Sequence, residues 1–240
     1  MIMVRSGTYL SLLFLVLISF SVSAKKLNIL VVTGGHNFDR QSFFEMFDSF
    51  PNINYTELQQ PEANTQFGSI NPKIVDAVVF YDMPKSISEE EKENYFNLLK
   101  AGKGMVFLHH SLVSYQQWDE FKSIVGGKYY EMKDSPRASN YQHDVHFTVR
   151  IEDPEHPVTK GIRDFEILDE VYGNTEVLPE VKPLLTTDHP KSSRVIGWTH
   201  QKEKSRVVYI QPGHDKNAFT NPEYRQLIRQ AIAFVAEKQK

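Results

Sequence analysis

The chain has 240 residues, 27 of them Lys or Arg and 30 Asp or Glu, for a formal net charge of −3, with 40% hydrophobic and 12% aromatic residues. This composition excludes a disordered tail, a collagen-like rod and a strongly basic nucleic-acid binder, and the length suffices to bury a sizeable core. Cysteine is absent, which excludes disulfides, thiolate metal sites and cysteine nucleophiles, so any metal must be held by His and carboxylates.

Arg5 precedes an uninterrupted run of apolar and small residues from Tyr9 to Val22, and Val22-Ser23-Ala24 places small side chains where a signal peptidase reads them. The pattern is that of a secretory signal peptide over residues 1–24, because the run falls short of the ~20 apolar residues that span a bilayer. No later stretch of the sequence is long or apolar enough to span. The expectation is a periplasmic or extracellular protein whose residues 25–240 form one domain without a transmembrane segment after cleavage.

Lys26 to Thr33 reads as a buried strand ending in a tight turn at Gly34-Gly35. Phe43, Met46, Phe47 and Phe50 then fall at helical spacing over Ser42 to Phe50, with Asp39 as the cap. Strands follow at Asn54 to Leu58, Asp76 to Tyr81 and Gly104 to Leu108. Between the last two, Ser88 and Glu91 form a capping box for a helix running to Gly102. Strands alternating with helices predict an α/β fold with a mostly parallel sheet and helices on both faces.

The second half leaves little room for helices between its strand-like segments, Tyr141 to Ile151, Phe165 to Leu168, Val181 to Thr187, Arg194 to Trp198 and Arg206 to Gln211. These predict an antiparallel extension of the sheet. Asn221, with Pro222 at the first helical position, opens a final amphipathic helix carrying Tyr224, Leu227, Ile228, Ile232 and Val235 on one face.

Ligands of an open parallel sheet bind beyond the carboxyl ends of its strands. His36, His109 and His214 each stand just past such an end. Gly34-Gly35 allows backbone to approach a ligand closely, yet GGHNFD lacks G-x-G-x-x-G spacing and there is no P-loop, so no nucleotide cofactor is expected. Of the adjacent His109 and His110, only one is expected to face the crevice, since neighbouring side chains diverge. Ser111 lacks the G-x-S-x-G context of a serine hydrolase, and HExxH is absent. Asp169-Glu170 offers a carboxylate as base or metal ligand, with a solvated strand end as the plainer reading. His143 and His146 are three apart and make poor joint ligands unless a bulge intervenes. His189 and His200 read as surface residues.

Taken together, LNILVVTGGHNFD, GKGMVFLHHS, DPEHPVTKGI with FEILDEVYGN, and RVVYIQPGHDKNAFTNPEYRQLIRQAIAFV resemble the ThuA-like (trehalose utilisation) family, a variant of the class I glutamine amidotransferase fold. The resemblance runs from Leu27 to Val235. It implies a flavodoxin-like, doubly wound sheet with a histidine, His109, at the elbow where amidotransferases carry cysteine, and it implies carbohydrate metabolism beside enzymes that make 3-keto sugars. Without cysteine, glutamine hydrolysis by that route is excluded. His36, His109, Asp169, Glu170, Tyr172 and His214 match family motifs, whereas His110 departs from the small residue expected there.

The expected function is therefore an exported enzyme acting on a sugar or keto-glycoside, a hydrolase, lyase or isomerase using metal-assisted or His/carboxylate chemistry. His109, Glu170 and Asp169 are the catalytic candidates, and Gly35, Phe38, His110 and Tyr172 the substrate-binding ones. His36, His109 and His214 are the expected ligands of a divalent, zinc-like ion. A non-catalytic sugar-binding or accessory protein on the same scaffold is the alternative, and an interaction module of an envelope complex a third. Phe38, Tyr81, Tyr130, Tyr172 and Phe219 suit sugar stacking or core packing. A small carbohydrate is the expected partner, nucleic acid is not, and self-association into a homo-oligomer stays open.

Overall fold

The computed structural model describes residues 26–132 and 135–237; the expected leader, residues 1–24, lies outside them. In chain order the elements are β1 (Leu27–Gly34), α1 (Arg40–Asp48), β2 (Ile53–Gln59), α2 (Glu62–Gln66), β3 (Ala77–Asp82), α3 (Glu89–Lys100) and β4 (Gly104–Leu108). A 3-10 turn (His109–Val113) leads to α4 (Phe121–Val125), β5 (Gly127–Lys128), β6 (Asn140–Ile151), β7 (Phe165–Gly173) and β8 (Glu176–Val177). The chain closes with β9 (Lys182–Thr186), β10 (Val195–Lys202), β11 (Ser205–Ile210), α5 (Lys216–Thr220) and α6 (Pro222–Ala236).

Nine strands form one sheet in the order β2-β1-β3-β4-β11-β10-β9-β6-β7, and β5 pairs with β8 apart from it. The five strands from β2 to β11 run parallel. The four beyond them alternate in direction. This is the doubly wound α/β sheet with an antiparallel extension that the segment pattern predicts. Because β2 and β3 lie on opposite sides of β1, the crevice at the carboxyl ends of β1 and β3 is the topological switch point where ligands of such sheets bind.

Alternation along the strands divides the core. Ile29, Val31, Val79, Val106 and Val208 face α1 and α6, while Leu30, Val32, Val78, Phe80, Met105 and Phe107 face α3 and α4. Strand interiors buried on both faces explain why these segments read as continuous apolar runs. The caps form as the sequence implies: Asp39 accepts from Ser42 N at 3.1 Å, Ser88 and Glu91 make a reciprocal capping box, and Asn221 accepts from Tyr224 N at 2.9 Å. Among the described residues no helix is long and apolar enough to cross a membrane.

Two departures from expectation bear on function. β7 does not stop at Leu168 but continues to Gly173, so Asp169 and Glu170 are buried in the sheet rather than solvated at its end. In β6 a bulge sets His143 and Asp144 opposite Glu170 alone, between the pairs Gln142–Val171 and Val145–Asp169.

Candidate active site

β4 ends at Leu108 in extended geometry, and His109 then takes φ 47 to start the 3-10 turn. Positive φ is costly for a residue with a Cβ and persists only where surrounding contacts hold it. Here Nδ1 of His109 donates to the Gln211 carbonyl at 2.8 Å, and Tyr209 Oη donates to the carbonyl of His109 at 3.1 Å. The turn also breaks strand alternation, so His109 and His110 both line the cavity instead of diverging.

The other His109 nitrogen faces a carboxylate, an imidazole nitrogen and a phenol. Nε2 lies 2.9 Å from Glu170 Oε2, 3.3 Å from His214 Nδ1 and 3.0 Å from Tyr172 Oη. His214 Nδ1 is itself 3.0 Å from Glu170 Oε2. Since Nδ1 carries the proton given to Gln211, a neutral His109 turns a lone pair toward a carboxylate oxygen. Two acceptors at that separation require a proton or a cation between them. Burial alone would raise Glu170, but hydrogen bonds from His109 and His214 outweigh it and hold the carboxylate well below its usual range. The Glu170 hydrogen bond raises His214 against the opposing effect of burial.

His109, Glu170 and His214 also form the group among the described residues able to hold a metal ion. Ligand atoms on a tetrahedral zinc site, each about 2.0–2.1 Å from the ion, stand roughly 3.3 Å apart, and the three atoms here are 2.9–3.3 Å apart. The donor set of two imidazoles and a carboxylate suits a divalent transition metal. His36, the expected third histidine ligand, lines the same cavity but lies outside this group, with Glu170 in its place.

Asp169 has another task. Its Oδ1 accepts from Glu170 N and His214 N at 2.8 and 2.9 Å, and its Oδ2 from Gly213 N at 2.6 Å. It clamps the turn after β11 that carries His214, and it is spent on backbone amides. Burial raises its pKa, opposed by the charge of His109 and by these amides.

The cavity, about 180 Å³, is lined by the three ligand candidates together with His36, Met83, His110, Val113, Tyr129, Glu131, Tyr141, His143 and Tyr172. The expected convergence of His36, His109 and His214 on one pocket is therefore realised. Gly35 and Phe38 are not in the lining. A Cβ on Gly35, at φ +80, would clash with the Met83 carbonyl, so this glycine lets the β1 turn cross the β3 turn. Phe38 packs edge-on against Phe43 and Tyr81, and Phe219 joins the same aromatic cluster. The aromatic wall consists of Tyr129, Tyr141 and Tyr172.

His143 is the site residue that sequence periodicity misses. Its Nδ1 is 3.6 Å from Glu170 Oε1 and its ring 4.7 Å from that of His214. The bulge makes this possible, because it puts Tyr141 and His143 on the face of Glu170 and Tyr172 while Val145 and Phe147 keep to the opposite core. His146 stays exposed outside the cavity. His200, expected at the surface, is half-buried with Nε2 3.0 Å from the Ile124 carbonyl.

A family model described as ThuA, trehalose utilisation, matches residues 28–235. No curated protein matches the chain. Among solved structures, a ThuA-like protein from Parabacteroides merdae superposes with a TM-score of 0.76 at 18% identity, covering 90% of this chain and 92% of that one. A ThuA-like protein from Bacteroides uniformis gives 0.66 at 17%, covering 90% and 94%. A GMP synthase subunit from Thermoplasma acidophilum gives 0.54 at 10%, covering 89% and 96%. At these identities the likeness is one of fold, and the last of them ties the sheet to an amidotransferase-like scaffold.

Proposed function

The chain belongs to the ThuA (trehalose utilisation) family, and we propose that it is an enzyme that moves a proton at a carbon beside a carbonyl in a small neutral carbohydrate, with a divalent cation in the site. The observation that carries this reading is the meeting of His109 Nε2, Glu170 Oε2 and His214 Nδ1 at 2.9–3.3 Å on the wall of one cavity. These three would hold the cation, which when bound supplies Lewis-acid polarisation of a carbonyl oxygen. Glu170 is tied to two imidazoles through Oε2 and serves as the fixed negative charge of the site. His143, exposed at the mouth with its ring against His214, is the group placed to take the proton and pass it to water.

Neutral substrate is favoured over phosphorylated sugar by charge. Among the described residues the lining holds no Lys or Arg and includes Glu170 and Glu131, the latter paired with Lys85 at 2.9 Å, so apart from the cation itself a phosphate dianion would meet no cationic side chain of the lining to pair with. Tyr141, exposed, can supply a face for the C–H surface of a sugar ring, and Tyr129 and Tyr172 line the same wall.

The test is cation uptake by the full chain together with solvent deuterium exchange into 3-keto-glucosides. Stoichiometric zinc or manganese, and exchange lost on chelation, support the reading. Uptake and sugar binding without exchange would replace it by the sugar-binding alternative, and a chain showing none of the three overturns both.

We extend the proposal to location: the apolar run and Val22-Ser23-Ala24 support export with cleavage after Ala24. Expression in an export-competent bacterium should yield a soluble chain beginning at Lys25. A membrane-held product retaining Met1 would exclude it.

A further inference from the structure

Opposite chemistry occupies the cavity one residue from the cation group. His110 is 3% exposed, and its ring packs 4.3 Å from that of Tyr81 and 4.8 Å from that of His36. Among the described residues neither ring nitrogen meets a partner in ordinary hydrogen-bond geometry, the Tyr81 backbone making at best a poorly aligned contact with one of them, and the neighbouring Ser111 Oγ is equally unpartnered. The ring lines the cavity, with both of its nitrogens covered by their neighbours in the absence of a ligand.

Buried polar atoms are almost always paired, and leaving two unpaired on one side chain costs stability that Phe or Leu at the same position would not. Packing between Tyr81 and His36 asks only for a flat apolar ring. What an imidazole adds is one N–H donor and one lone-pair acceptor in a fixed plane. An alcohol hydroxyl can either accept from the N–H or donate to the lone pair, so the hydroxyls of a polyol can serve both nitrogens, one each. A carboxylate can only accept and an ammonium can only donate.

We propose that His110, covered on one side by His36, is the element of the site that recognises a hydroxyl group of a neutral polyol ligand. The inference rests on the carbohydrate reading above for its substrate class but not on the cation. It makes His110 a specificity-determining residue, because a site built around a hydroxyl discriminates strongly against analogues that lack it.

The experiment uses the full chain with 15N-labelled histidine, titrated with glycerol to 1 M while the ring nitrogens are followed by two-bond 1H–15N spectra and assigned with His110→Phe. Saturable shifts of the His110 nitrogens toward hydrogen-bonded values, absent with acetate or ammonium at the same concentration, are expected. Unchanged His110 signals at 1 M glycerol, or equal shifts with acetate, overturn the proposal. A second arm measures urea unfolding. His110→Phe, or His110→Leu where Phe overpacks, should be at least as stable as the parent and should bind glycerol at least tenfold more weakly, while His110→Asn, which restores a donor and an acceptor, recovers part of the binding. Lower stability in both apolar variants would assign His110 a structural role and overturn the proposal. Cation content is measured on the same samples. A chain that binds no cation yet shows the glycerol shifts keeps this inference and loses the other.

Discussion

Nε2 of His109 stands 2.9 Å from Oε2 of Glu170, while the opposite nitrogen of the same ring is committed to the Gln211 carbonyl. The pair is buried on both sides, at 1% and 6% side-chain exposure. Removing either partner therefore does more than delete a reacting group.

Glu170→Gln separates charge from shape. The amide can donate to His109 Nε2, so the fold should lose about 1 kcal/mol or less, whereas cation affinity should fall at least ~100-fold because the anionic ligand is gone. His109→Ala is the blunter variant. It leaves Glu170 Oε2 with His214 alone and the buried Gln211 carbonyl without its donor, and urea unfolding should show a loss of about 1–3 kcal/mol. Calorimetric titration with Zn²⁺ checks the first outcome, and retained affinity in Glu170→Gln would remove Glu170 from the ligand set.

Asp169 holds His214 in place through backbone amides, so its substitution should act on stability and on cation affinity together. Asp169→Ala leaves the amides of Gly213, His214 and Glu170 without that acceptor and should cost about 2–4 kcal/mol. Asp169→Asn, with one carbonyl oxygen left, should fall between. An Asp169→Ala chain as stable as the parent, with activity abolished, would mean that the carboxylate reacts rather than positions.

The parallel half of the sheet is legible in the sequence because each strand is a short apolar run bounded by Gly or a capped helix, as with Lys26 to Thr33 and the Ser88–Glu91 box. Legible too is the convergence of His36, His109 and His214, which follows from three strands running to one edge. The cation group is only half visible there. Glu170 reads as solvated because apolar periodicity fades after Leu168, although the strand continues with Val171 and Tyr172 buried beyond it. His143 is hidden by a bulge whose sole mark is Asp144, a residue type that tolerates positive φ. His110 reads as diverging from His109, since a turn that starts at φ 47 leaves no sign in composition.

Asp144 sits at φ 54 in that bulge, so backbone preference and site geometry can be tested at one position. Asp144→Gly relieves the left-handed strain and should stabilise by up to about 1 kcal/mol with His143 undisturbed. Asp144→Val opposes the same φ and should destabilise by about 1–2 kcal/mol, displacing His143 and lowering turnover while cation content stays the same. Equal turnover in the two variants would show that His143 does not need the bulge to act.

Asp82, at the end of β3, is 2% exposed and accepts from Gln60 Nε2 at 2.8 Å. Burial pushes its carboxyl up to about 7, against the opposing hydrogen bond from Gln60. An unfolded aspartate titrates near ~3.9, so below that pH both states are protonated and Asp82 adds no pH dependence. Between about 4 and 7 the folded chain keeps a proton that the unfolded chain has released, and stability falls as pH rises through this window. Above about 7 the folded carboxylate is charged in a buried site and the loss is complete. A shift of that size corresponds to roughly 4 kcal/mol at most, and partial relaxation around the carboxylate should bring the measured figure to about 2–4 kcal/mol. Asp82→Asn keeps the acceptor for Gln60 and cannot ionise. Its urea stability should match the parent near pH 4 and exceed it by that margin at pH 8. A difference that stays flat across this range would mean that Asp82 is ionised in the folded chain throughout, with a counter-charge the structure does not place beside it.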